Sequence, residues 1–428
     1  SYFRILFKSQ EISATPVFSE SNLASVYFTI RVEPESKLVV NAKEMQAKIE
    51  SIVMPVREQL EQRIKKEYDP RKAGLIIDRY VAAMPDKYLS NVSCQDAFLD
   101  IAELMKINRD NPIHATLTKD QGENNGHAAA WFLKIYQFQE ASVLADIMPI
   151  LDNLGLKIIR ERLFTIEYSE QETVSIIEIR LVMKNDKIQL SQNRGREVID
   201  CLIHVIQGKA YNEKLNQILG MTDITCRQVE LVLSYLHYCK QTNFALSFEY
   251  MVETFLLYPE LLESMLHLFT LRFEQQDKKM ADASVESFLP KLQAKMEAVG
   301  SLSEDRVFVR MQEMILATVR TNFYQKDREA LSIKVLPAKI SEMPLPHPAI
   351  ETFVFSMRVV GVHLRMSKVA RGGIRWSDRT EDYRTEVLGL MQAQDLKNAI
   401  IVPDGAKGVF VPKNLSQFDT PEDRYEEA

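Results

Sequence analysis

Between Arg358 and Lys413 the sequence carries ten Arg or Lys residues against six Asp or Glu, in a chain whose formal net charge is −6. A basic island in an acidic protein suits a small anionic ligand better than a polyanion. Near its centre stands Arg371-Gly372-Gly373, a planar cation beside two residues that let the backbone approach a ligand closely. Lys397 closes a helical pattern. Lys407 lies in Gly405-Ala406-Lys407-Gly408, which reads as a glycine turn after the apolar run Ile400-Ile401-Val402-Pro403. An ammonium held in such a turn is a candidate acid–base group. Plainer readings stand beside these. Arg371 could be a loop arginine, and Lys397 a cation favoured by the negative end of a helix dipole. Arg375, Arg379 and Arg384, close to Asp378, Glu381 and Glu386, read as solvated charges at a helix start.

The elements that must hold these residues follow from hydrophobic periodicity. A helix is expected over Glu381 to Lys397, with Val387, Leu388, Met391 and Leu396 inward, and strands over Phe353-Val354-Phe355, Val359 to Leu364 and Val409 to Pro412. Upstream, residues 190–330 show one helical stripe after another, with Thr222 and Thr225 as candidate caps and Pro259 and Gly300 as breaks. Residues 129–185 read as strand, helix, strand, strand: Ala130 to Phe138, Glu140 to Leu154 ending at Gly155, Lys157 to Tyr168, and Thr173 to Met183. That order is most of a ferredoxin-like unit. Asn41 to Glu67 reads as one amphipathic helix that Asp69-Pro70 ends, and Tyr2 to Phe7 and Leu23 to Val32 read as strands. The pair Leu163 to Ile166 and Ile176 to Ile179 echoes the two strands of residues 16–32, so a degenerate internal repeat is expected there.

At 428 residues, 46% of them apolar, there is material for several packed cores. The acidic balance, with a sequence pI of about 5.8, argues against a nucleic-acid or acidic-membrane binder. A DNA-reading helix-turn-helix over Thr222 to Gln241 is disfavoured further, because only Arg227, His237 and Lys240 could serve as basic contacts. Cys94, Cys201, Cys226 and Cys239 stand apart with no zinc-type spacing, so no metal site is expected. Scattered thiols of this kind suggest a cytoplasmic protein. No apolar run is long enough to span a bilayer.

The run Val369-Ala370-Arg371-Gly372-Gly373-Ile374-Arg375-Trp376-Ser377-Asp378-Arg379, then Glu381-Asp382-Tyr383-Arg384-Thr385-Glu386-Val387-Leu388-Gly389-Leu390, closely resembles the large NAD-dependent glutamate dehydrogenases. Lys397-Asn398-Ala399-Ile400-Ile401-Val402-Pro403 and Gly405-Ala406-Lys407-Gly408 continue the match. Thr225 to Gln241, Asp305-Arg306, Arg320-Thr321-Asn322 and Gly361-Val362-His363-Leu364-Arg365 carry it upstream. The resemblance implies oxidative deamination of L-glutamate to 2-oxoglutarate and ammonium, with NAD as hydride acceptor. It gives Lys407 the catalytic role of activating a water, Lys397 the substrate α-carboxylate, Arg371 the side-chain carboxylate, and Gly372 and Gly373 the close backbone wall. Two positions depart from the family pattern: Asp404 replaces an apolar residue, and Val409 a second glycine.

The implied fold is α+β and multidomain: ferredoxin-like (ACT-like) units, a helical body, and the start of an α/β substrate-binding domain. The borders expected are 1–36 for the end of one ACT-like domain, 37–110 helical, 111–188 a second ACT-like domain, 189–330 the helical body, and 331–428 the start of the catalytic domain. The NAD site is expected downstream of Ala428, so this portion alone should be inactive. A homo-oligomer and an amino-acid effector are the further partners the resemblance implies. The alternative is a non-catalytic ACT-like regulatory or amino-acid-binding module.

Overall fold

The computed structural model describes residues 2–7, 9, 11–18, 24–32, 41–120, 130–139, 142, 144–169, 172–275, 277–325, 328–368, 370–398, 405–413, 415 and 420–428. They form two units, 1–101 and 102–428.

In the first unit, α1 (Tyr2–Phe7) precedes a hairpin of β1 (Ile12–Phe18) and β2 (Ala24–Ile30), with Ile12 opposite Ile30. The strand expected over Tyr2 to Phe7 is therefore a helix. Six residues are too few for periodicity to separate the two, and here the one-turn spacing of Phe3 and Phe7 decides. Their ring centroids lie 6.2 Å apart, and Phe3 sits 4.8 Å from Phe28. The long helix expected over Asn41 to Glu67 is two, α2 (Ala42–Val53) and α3 (Val56–Glu67), because Pro55 cannot donate within a helix. Asp69 does more than end α3. Its side chain accepts from the backbone N–H of Lys72 at 3.1 Å and starts α4 (Pro70–Ile76), with Pro70 in the first turn. A π-helical turn (Ile77–Val81), α5 (Asp86–Leu89) and α6 (Cys94–Leu104) complete a small helical core around Leu60, Ile64, Val81, Tyr88 and Ala97.

The second unit begins with β3 (Ile113–Lys119) and β4 (Trp131–Phe138), then α7 (Leu144–Asn153), β5 (Leu156–Ser169) and β6 (Glu172–Met183). The sheet order is β3-β4-β6-β5, antiparallel throughout. The strand-helix-strand-strand order expected from sequence is present, and β3 adds an outer strand that the sequence pattern did not reveal. Gly155 follows α7 at φ +75°, and a Cβ there would lie 2.3 Å from Ile188 Cδ1. Only glycine meets both demands.

Among the described residues the α-helices that follow are α8 (Gln192–Ile206), α9 (Cys226–Lys240), α10 (Phe248–Leu257), α11 (Pro259–Phe273), α12 (Lys278–Met296) and α13 (Leu302–Ala317). Thr225 and Gln228 form a reciprocal capping box at the start of α9. This helix buries Val229, Val232, Leu233, Tyr235, Leu236 and Tyr238, so it is a core element with no free face for a DNA groove. Helix α13 stops at Ala317.

The next four residues, β7 (Thr318–Thr321), open a second sheet with β8 (Leu331–Val335), β9 (Ile350–Phe355), β10 (Val359–Arg365), β11 (Arg371–Trp376) and β12 (Gly405–Pro412). Its order is β11-β12-β10-β9-β8-β7, with β11 and β12 parallel and the other pairs antiparallel. Parallel neighbours need a crossover, and α14 (Tyr383–Asn398) provides it, packing on β12 and β10. A short α15 (Pro421–Glu427) follows. On one face Ile333, Phe353, Phe355, Val362, Leu364, Val409 and Val411 are buried in the same core as α9, α13 and α14. Among the described residues no helix is long and apolar enough to cross a membrane, and no group of three His, Cys, Asp or Glu could hold a metal ion.

Candidate functional site

Lys407 is the third residue of β12, so the expected glycine turn over 405–408 is strand. Its neighbours across the sheet are Gly373 on β11 and Leu364 on β10, and Leu364 in turn faces Glu351 on β9. Paired residues share a face, and Leu364 and Glu351 are both fully buried. Lys407 therefore stands on the helix-covered side, on the outer part of a row whose inner part is closed to solvent. Arg371, two residues before Gly373, shares that face. Adjacent strands about 4.8 Å apart with a rise of about 3.3 Å per residue put the Arg371 and Lys407 Cα atoms about 8 Å from each other. Both side chains can reach one small ligand. Arg371 is exposed and Lys407 half-buried.

The glycines explain how the strands come so close. A Cβ on Gly372 would fall 1.3 Å from the Ala406 carbonyl oxygen, and one on Gly408 3.0 Å from Ile374 Cγ1. Gly373 meets nothing within 4 Å, so its lack of a side chain leaves open space beside Lys407. Every residue of β11 is exposed, including Ile374 and Trp376. The stretch expected as a loop around Arg371 is thus an edge strand, extended at its far end by the bond from Ser377 N–H to the Phe410 carbonyl at 2.9 Å.

Helix α14 brings in Lys397. Its start is tied to the C-terminal end of β11: the Ser377 hydroxyl donates to Glu386 Oε2 at 2.6 Å, and Arg375 lies 3.5 Å from Glu386. From there a crossover must run back to where β11 and β12 begin, the end that carries Arg371 and Lys407. Lys397 occupies the last turn of the helix backbone. Its side chain, Asp404 and the apolar run over 400–403 lie outside the described residues.

Arg379 behaves as the solvated charge expected, paired with Asp382 on the surface. Arg384 does not. It is 1% exposed and forms a two-bond ion pair with Glu351, itself at 0%: Nε to Oε2 is 2.9 Å, and Nη2 donates to Oε1. The Tyr238 hydroxyl donates to the same carboxylate at 2.7 Å. Burial works against the guanidinium charge, but the bonds to Glu351 outweigh it, and Arg384 stays firmly protonated. Gln241 accepts from the Arg384 backbone N–H at 3.2 Å and donates to the Glu381 carbonyl at 2.9 Å. The start of α14 is thereby pinned to both α9 and the sheet. Sequence gave no hint of this, because the partners come from three distant segments.

A second, half-buried cation sits just past the other end of β12. Lys413 packs over the rings of Phe355 and Tyr211, 4.5 and 4.6 Å from their centroids, and donates to the Ser356 carbonyl at 2.9 Å. Burial pulls its ammonium down to about 8, against the pull of Glu213 and Glu230. Nearby, His237 is enclosed by Phe248, Phe355 and Tyr211, and its Nε2 has no hydrogen-bond partner. Burial, then Lys413 and Lys240, lower it to about 4.

Comparison with known proteins gives three family-model matches. Residues 291–428 match the model described as "Bacterial NAD-glutamate dehydrogenase, catalytic domain", 112–193 "Glutamate dehydrogenase, ACT3 domain", and 210–275 "Glutamate dehydrogenase, helical motif 3". The NAD-specific glutamate dehydrogenase of Halomonas elongata is 33% identical over 405 residues, which cover 93% of this chain and 25% of that protein. The Pseudomonas aeruginosa protein of the same name is 32% identical over 409 residues, with the same shares. The one from Mycobacterium tuberculosis is 32% identical over 358 residues, covering 78% of the chain and 21% of that protein. The chain spans about a quarter of the length of the first two relatives.

Proposed function

Because the chain belongs to the large NAD-dependent glutamate dehydrogenases, we propose that it carries the amino-acid-binding part of an enzyme that converts L-glutamate to 2-oxoglutarate and ammonium. The observation that supports this most is the sharing of one sheet face by Arg371 and Lys407 on adjacent parallel strands, at the end to which α14 returns with Lys397. A dicarboxylic amino acid has two carboxylates to be held and an α-carbon that must face the chemistry.

In this reading the Arg371 guanidinium takes the side-chain carboxylate as a fork, and the Lys397 ammonium takes the α-carboxylate. Gly373 leaves room for the substrate backbone against Lys407. Once the Cα–H bond has given up its hydride, the carbon is an iminium. The Lys407 amine accepts a proton from water as the oxygen attacks that carbon, then returns a proton as ammonia leaves. NAD, when bound, supplies the hydride acceptor. The 428 residues hold no glycine-rich dinucleotide fingerprint, so no residue of this chain is given to it.

The finer fold reading belongs here as well. The β3-β4-β6-β5 sheet with α7 and α8 is a ferredoxin-like, ACT-like unit in which β3 fills the outer place beside β4 from the N-terminal side of the chain. Residues 1–36 are the end of another such unit. An amino-acid effector and a homo-oligomer remain part of the proposal.

The test is turnover of glutamate and NAD by the full-length protein, with and without Lys407→Ala. General acid–base catalysis is worth about 10²- to 10⁴-fold, and a loss of that size in kcat is expected. A kcat within about threefold of the parent removes Lys407 from the chemistry.

A further inference from the structure

Two of the four cysteines, well separated in sequence, are brought to the junction of α8 and α9. Cys201 lies on α8 and is 1% exposed; Cys226 is the first residue of α9 and is half-buried. The Cys226 backbone N–H donates to Glu197 Oε2 at 3.0 Å. Glu197 precedes Cys201 by one turn of α8, so the two share a helix face, and that face receives the start of α9. Cys201 belongs to the buried core against which Cys226 packs. The Cys226 thiol is also the foremost influence on the Cys201 thiol, ahead of burial, and both raise it. Cys94 and Cys239 have no such companion: Cys94 lies in the other unit and Cys239 is buried near the far end of α9.

We propose that Cys201 and Cys226 form a dithiol site that hydrogen peroxide oxidises to an intramolecular disulfide, cross-linking α8 to α9. Cys226 is the entry point, since it is the one solvent can reach. Its sulfur attacks the peroxide, the O–O bond breaks, and sulfenic acid and one water form. The Cys201 sulfur then attacks the sulfenic sulfur; the S–O bond breaks, and oxygen leaves as a second water with the thiol proton. Two thiols lose two electrons and the peroxide becomes two waters. Helix α8 leads out of the β3–β6 sheet, and α9 carries the Tyr238 that holds Glu351. The bond would therefore fasten the sheet unit to the helix that supports the candidate site, and it does so whether or not the catalytic reading holds.

The probe is hydrogen peroxide added to the reduced full-length protein, followed by alkylation of free thiols and peptide mapping without reductant. The expected result is one linked peptide pair joining Cys201 to Cys226, two hydrogens lighter than the sum of its parts, with Cys94 and Cys239 alkylated. In Cys201→Ser the reaction stops at Cys226, where a cyclic 1,3-dione captures the sulfenic acid. Recovery of both residues as alkylated thiols overturns the proposal, and so does linkage of either one to another cysteine. If Cys201→Ser fails to fold, the map of the unsubstituted protein decides by itself.

Discussion

Replacing Arg384 by methionine removes one half of an ion pair whose members are 1% and 0% exposed. The Glu351 carboxylate then keeps only the Tyr238 hydroxyl as donor among the bonds described for it, in a place closed to solvent. Breaking a buried pair from one side costs about 3–5 kcal/mol, since an uncompensated charge stays behind. A chain of several units does not unfold in one step, so the cost is best read locally, as amide hydrogen exchange in β9, β10 and α14. With about 1.4 kcal/mol per tenfold, protection of those amides should fall by about two to three and a half orders of magnitude, while β3–β6 changes little. Adding Glu351→Gln to Arg384→Met keeps an acceptor for Tyr238 and removes the stranded charge. This double variant should recover all but about 1–2 kcal/mol of the loss. A single variant that loses less than tenfold protection, or a double variant as damaged as the single, would refute the claim that the pair pins α14.

Two further substitutions test other parts of the account. Gly372→Ala drives a methyl into the Ala406 carbonyl; overpacking of this kind costs about 1–3 kcal/mol, and β11 should lose exchange protection while β9 keeps it. His237 is held near 4, below the ordinary value of 6.5. Between those two pH values the unfolded chain binds the proton that the folded chain refuses, so stability falls as pH drops through this window. His237→Phe should remove that share of acid sensitivity, seen as a flatter pH dependence of amide protection in α9 and β9 between pH 6.5 and 4; an unchanged slope would mean the ring is not buried neutral.

The sequence carried the broad architecture because most of it is local. The α14 pattern, the strand pair within residues 157–183 and the Thr225 cap all depend on residues within a few positions of one another. What it hid is non-local or ambiguous. Arg384 looks like any helix-start charge until Glu351 is brought beneath it. Gly405 to Gly408 has the composition of a turn, and only pairing with β10 and β11 makes it a strand in which close approach favours glycine. Tyr2 to Phe7 is too short for its period to declare itself. The Pro55 break was legible and is the plainer omission. Lys407 and Arg371 stand out in the sequence as neighbours of glycine, but the sharing of a face depends on a parallel register that no local pattern contains.

The central claim is that the Arg371 guanidinium recognises the side-chain carboxylate of a dicarboxylic amino acid. It is tested most directly by comparing L-glutamate with L-norvaline, its straight-chain counterpart without that carboxylate, in full-length protein and in Arg371→Met. A charge-assisted hydrogen bond is worth about 1.5–3 kcal/mol, so kcat/KM for glutamate should drop by about 10- to 100-fold while the value for norvaline moves less than threefold. Equal losses for the two substrates, or no loss for glutamate, would contradict it.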